Sequence, residues 1–167
     1  MMIKPSMLLG ALLVATAAAF VSPLANTATS AFAATGDDGV IKVKSAYSFD
    51  DTITRIKADI AKKGIKFFLA VNQTDLGASA GIKLKPSTLL IFGNPPLGIQ
   101  FLTSNPDAGL DWPVRLLVRK DDGGQVWAVY TDFGWIAKRH GITDRNTQFK
   151  MASDVIASIT SSVTTKQ

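Results

Sequence analysis

His140 is the only histidine in the chain, and Arg139 stands directly before it. An imidazole titrates close to neutrality, so His140 could act as a general acid, a general base or a metal ligand. Catalytic zinc takes about three protein ligands. The chain has no cysteine and no glutamate, so every other ligand would be an aspartate, and Arg139 would oppose the cation. We expect no metal and no other cofactor. A structural role for His140 competes: at a helix end before Gly141 it would favour the negative end of the dipole. Nucleophilic catalysis has little to build on. Ser79 sits in "GASAGI", not in a Gly-x-Ser-x-Gly elbow. Gly93-Asn94-Pro95 lacks the glycines and the Lys-Ser/Thr pair of a phosphate loop, although a helix starting there leaves N–H groups that can receive an anion.

The polar residues that could form a site are Asp75, Asn94, Asp111, Trp112, Arg115 and His140. They would converge if the long segment "NQTDLGASAGIKLKPS" folds over the Asn94 turn. The result would be an apolar cleft with a few placed polar groups, the common form of a ligand site. In a catalytic version His140 is the acid or base and Asp75 or Asp111 assists. In the bland version each aspartate bonds its own turn.

The elements that must position these residues follow from periodicity. "VIKVKSAY" (40–47) alternates as a strand with one wet face. Phe49, Ile53, Ile56 and Ile60 form one helical stripe. Ser48 caps that helix with Asp51 three residues on, and Gly64 stops it. Residues 65–71 and 88–92 are strands, and the first strand–helix–strand unit suggests a crossover. Between the two lies the long segment, a loop with at most a short helical turn. Asn94 is expected as N-cap, with Pro95 at the first position of a helix reaching Ser104. Residues 113–120 and 125–131 form a hairpin through "DDGG". Trp127 and Tyr130 point to opposite faces. A short helix spans 133–139. A last helix starts at Asp144 or Asn146, with Phe149, Ala152, Ile156, Ile159 and Val163 as its stripe. The fold class is α+β: two layers, with a mostly antiparallel sheet of about five strands and helices on one face.

Residues 1–33 read as a cleaved signal peptide. An apolar run, "MLLGALLVATAAAFV", leads to Ala31-Phe32-Ala33, a small-x-small cleavage pattern. The run is shorter than the ~20 residues of a spanning helix, so no stable membrane span is expected after cleavage. We expect the product in the periplasm or outside the cell. Residues 34–39 read as a disordered arm, 40–163 as one domain and 164–167 as a frayed tail. The formal net charge is +5, but the cations are scattered. Nucleic acid is not an expected partner.

"GIKLKPSTLLIFGNP", "GLDWPVRLLVRKDDGGQVWAVYTD" and "AKRHGI" resemble the family called domain of unknown function 302. The similarity runs from about Val40 to Val163. Phe92-Gly93-Asn94-Pro95 and Arg139-His140 are its most specific parts. The resemblance implies a small, mostly bacterial α+β domain that is sometimes exported. It names no activity. Many similar sequences carry His after the acid matching Asp75, where this chain has Leu76. Arg119 also departs from the pattern, standing where similar sequences often have an acidic or aromatic stretch.

Together these readings favour a non-catalytic exported module that binds a small molecule, such as an anion, or a partner protein. Two alternatives stand beside it: an enzyme of unassigned reaction using His140, and a structural protein of the envelope. A homodimer through the uncovered sheet face is a further expectation.

Overall fold

The computed structural model describes residues 38–165. The signal-peptide reading of 1–33 therefore lies outside the described residues. Asp38 and Gly39, assigned above to a disordered arm, belong to the fold. The Asp132 N–H donates to the Gly39 carbonyl at 2.8 Å, and Gly39 lies against Trp135, where a side chain would collide with the ring.

Five strands form one antiparallel sheet: β1 (Val40–Lys44), β2 (Lys66–Asn72), β3 (Ser87–Gly93), β4 (Val114–Lys120) and β5 (Val126–Thr131). Their order is β1-β5-β4-β3-β2. β1 and β2 run parallel but occupy opposite edges, so the expected crossover spans the whole sheet. β2 to β5 form a meander. A register shift between Phe67 and Leu69 marks a bulge in β2.

Alternation decides what each face buries. Thr88, Leu90 and Phe92 of β3, Leu116 and Val118 of β4, and Val126, Ala128 and Tyr130 of β5 are buried. Their neighbours Leu89, Ile91, Leu117, Trp127 and Val129 are only half-buried. Tyr130 is thus core and Trp127 is not; the Trp127 indole N–H donates to Asp121 at 2.7 Å.

The helical layer is built by α1 (Phe49–Lys62), α3 (Pro95–Ser104), α4 (Phe133–Arg139) and α5 (Asn146–Ser161). α1 begins as the sequence predicts. The Asp51 N–H donates to Ser48 Oγ, which in turn donates to the Asp51 carboxylate. Its buried stripe is Thr52, Ile56 and Ile60. Thr52 is a polar member that periodicity does not reveal: it bonds Ser45 Oγ at 2.7 Å and donates to the Ser48 carbonyl. β1 ends at Lys44 rather than Tyr47, although the Ser45 N–H still donates to the Val126 carbonyl at 2.9 Å. The α5 stripe is buried at all five expected positions. α5 begins at Asn146 with Arg145 at its N-cap, and no side chain caps it.

The segment expected as a loop holds a further helix, α2 (Gln73–Ser79). Asn72 caps it by accepting from the Asp75 N–H at 3.2 Å. Asn94 departs from expectation in the opposite sense. It stands at the N-cap of α3 but its side chain makes no capping bond; its carbonyl receives the Leu97 and Gly98 N–H groups instead. Residues Pro106–Leu110 form one 3-10 turn.

Candidate functional site

One end of the sheet carries most of the expected site residues, in two groups. The first surrounds Asp111, at the end of the 3-10 turn. Its side chain is only 3% exposed. Oδ1 accepts from Arg115 Nη2 of β4 at 2.7 Å and from Arg139 Nη1 of α4 at 3.3 Å. Oδ2 accepts from Arg139 Nη1 at 3.1 Å and from His140 Nε2 at 2.7 Å. An ionised carboxylate can only accept, so His140 carries its proton on Nε2. The His140 side chain is 5% exposed. The Asn105 side chain also donates to the His140 carbonyl at 2.9 Å, holding the end of α4 to the 3-10 turn.

The second group is an apolar cavity of about 430 Å³ between the sheet end, α3 and α5. Phe92, Leu97, Phe101, Trp112, Val114, Ile156 and Ile159 supply its walls, and Lys63, Asn94, Asp154 and Ser158 its polar parts. Phe101 also stacks on Phe149, with centroids 4.2 Å apart. The Trp112 indole lies flat enough on α3 that a Cβ at Gly98 would overlap it, and one at Gly93 would sit 3.2 Å from Nε1. On its outer side Trp112 meets Phe68 edge-on at 6.3 Å. Lys63 is paired with Asp59 and Asp154 with Lys150, so the polar rim is close to neutral.

Of the six expected residues, Asp111, Arg115 and His140 meet in the charged cluster, while Asn94 and Trp112 line the cavity. Asp75 joins neither. It lies in the first turn of α2, its carboxylate accepting from Asn72 Nδ2 at 2.6 Å. Asn72 pairs with Thr88, at the far end of β3 from Gly93. At about 3.3 Å per residue that is some 16 Å away. The long segment therefore does not fold over the Asn94 turn, and the carboxylate that His140 bonds is Asp111, not Asp75.

Two features escaped sequence reasoning. Arg139 was read as an obstacle to a cation, yet it is a partner of Asp111. The place of the apolar cleft is the other: it lies between α3 and α5 and not under the long segment, and Gly93 and Gly98 beside a Trp and the small Ala152 on the α5 stripe are the signals that could have placed it. Among the described residues no three His or acidic side chains come together as metal ligands.

The sequence profile "Domain of unknown function DUF302" matches residues 41–162. This chain belongs to the DUF302 family. The fold of this DUF302 domain is similar to the crystal structure of an uncharacterized conserved DUF302 protein from Bacillus stearothermophilus. The TM-score is 0.68 at 15% identity, covering 75% of this chain and 98% of that one. The DUF302 sequence is also 36% identical over 106 residues to "Fluoride-specific ion channel FluC 1" of Brucella suis. "Fluoride-specific ion channel FluC 2" of Brucella melitensis matches equally, at 36% over 106 residues. Each alignment takes in 64% of this chain but only 42% and 39% of those relatives, so the chain spans about two-fifths of their length.

Proposed function

We propose that this DUF302 protein is a non-catalytic binding module whose cavity receives a small, largely apolar molecule. The observation that carries the reading is the cavity between α3 and α5, at about 430 Å³. That lies within the ~300–1,000 Å³ usual for small-molecule sites. Its walls are aliphatic and aromatic, and its few polar groups lie where a ligand could be oriented. His140 does not favour the enzyme reading: its ring is almost wholly covered and held by a saturated carboxylate, which leaves little room for a substrate proton. The match to the Brucella relatives over only part of their length is compatible with such a module lying within a longer chain. Export by the 1–33 segment is part of the proposal and rests on the Ala31-Phe32-Ala33 pattern. N-terminal sequencing of the protein from its source should begin at Ala34.

The test of the binding reading is native mass spectrometry of the protein purified from its source, followed by titration with the uncharged apolar fluorophore N-phenyl-1-naphthylamine. Val155 lines the cavity yet is 37% exposed, so Val155→Trp narrows the space without disturbing the core. We expect one fluorophore per chain, or a co-purified mass, and at least a tenfold loss of affinity in the variant. A wild-type protein that carries no added mass and binds no fluorophore would defeat the reading.

A second reading, binding of a protein partner, is favoured by the sheet face away from the helices. Leu69, Leu89, Ile91, Leu117 and Val129 lie there half-buried or exposed. The expected homodimer is the simplest occupant. Sedimentation showing a monomer at every concentration would remove it.

A further inference from the structure

We propose that Arg115 and Arg139 form a binding site for a small carboxylate or oxyanion, separate from the apolar cavity. Charge counting comes first. Asp111 brings one negative charge and meets two guanidiniums and an imidazole. One cation suffices to neutralise a buried carboxylate. The second guanidinium is in excess, and it is held beside a like charge, an arrangement that is unfavourable unless a further anion shares it.

The geometry agrees. Arg115 Nη2 and Arg139 Nη1 both bond the same oxygen, Asp111 Oδ1, so the two guanidiniums converge. They arrive from different elements, β4 and the end of α4. Each uses one terminal nitrogen on Asp111, and among the described residues the other N–H groups of both take no further hydrogen bond. Their side chains remain 49% and 44% exposed. Asp111 and His140 are buried and hold the pair in position, while Arg139 also lies over the Trp135 ring at 5.6 Å. Free guanidinium edges fixed at their bases match the planar fork that carboxylates and phosphates accept. The cleft beside Arg115, lined also by Asp111 and Thr131, holds only about 10 Å³, so the anion would lie on the exposed guanidinium edges and not within it. Val114 and Phe133 line both this cleft and the apolar cavity, so two side chains separate the sites.

The experiment is isothermal titration of the purified protein with inorganic phosphate, acetate and, separately, fluoride. We expect saturable binding of phosphate or acetate at one site per chain. Arg115→Gln and Arg139→Gln should each weaken it by roughly 10- to 100-fold, the range of a charge-assisted hydrogen bond. Both should keep the wild-type circular dichroism and the wild-type affinity for the cavity fluorophore. Failure of phosphate and acetate to bind, or unchanged affinity in both variants, overturns the site. Binding of fluoride alone overturns the assigned ligand class. If Arg139→Gln unfolds, Arg139→Lys keeps the charge and removes the fork. Weakened anion binding on an intact fold then supports the site, and a second unfolding shows that the guanidinium is structural and overturns it.

Discussion

The Trp112 indole occupies the space that a side chain at Gly98 would need. In an ordinary helix interior, Gly→Ala gains about 1 kcal/mol from propensity. Here the sign should reverse. Gly98→Ala forces the ring off α3, and overpacking costs about 1–3 kcal/mol. Urea denaturation gives the sign. A shift in Trp emission would report the ring's move, because Trp112 is a wall of the cavity.

Asp111 should dominate the stability of the charged cluster. Asp111→Ala strips the partner from His140 and from both guanidiniums. Breaking a buried pair from one side costs about 3–5 kcal/mol; because both arginines can turn to water, we expect the lower end. Arg139→Gln, on a half-exposed side chain, should cost under about 1 kcal/mol. Equal losses in denaturant unfolding would show that the cluster does not work through Asp111.

Asp121 should titrate below the ordinary carboxylate range, chiefly because it accepts the Trp127 indole N–H. A carboxyl depressed in the folded state contributes stability above its unfolded pKa of about 3.9, lost as pH falls through the folded value. Trp127→Phe should raise the Asp121 midpoint in a carbon-13 NMR titration. An unchanged midpoint would assign the depression to the neighbouring backbone N–H groups.

Burial pushes the Tyr130 phenol up from its ordinary value. The sign is opposite to that of Asp121. The contribution is fully present below the unfolded pKa of about 10 and is lost as pH rises through the folded value. Tyr130→Phe should flatten the alkaline decline of thermal stability, and ultraviolet titration of the wild type should show one tyrosine ionising late.

These placements show which physics is local enough to read. The α5 stripe is a period within sixteen residues: Phe149, Ala152, Ile156 and Ile159 are buried as that period requires, and Val163, just past the helix end, is buried too. The Ser48–Asp51 box is likewise set by four consecutive residues. Asp75 was misplaced because the destination of a loop depends on which strand end it leaves, and that follows from the register of Asn72 with Thr88. The Asn94 side chain was expected to cap; its carbonyl does the bonding while the side chain stays exposed at the cavity. An apolar cleft at Asn94 and Trp112 was legible from residue types, but its walls were not, because it is the space left between α3 and α5 and no residue pattern encodes the approach of two helices directly. Arg139 was legible as a charge but not as a partner, since Asp111 lies twenty-eight residues earlier in the chain.

The edge position of β1 also has a temporal meaning. Val40 pairs with Thr131, whereas β2 to β5 each join a strand close by in sequence. The meander can zip while β1 stays open, and loop-closure entropy delays so distant a contact further. β1 should therefore be the last strand to gain protection in pulsed hydrogen exchange.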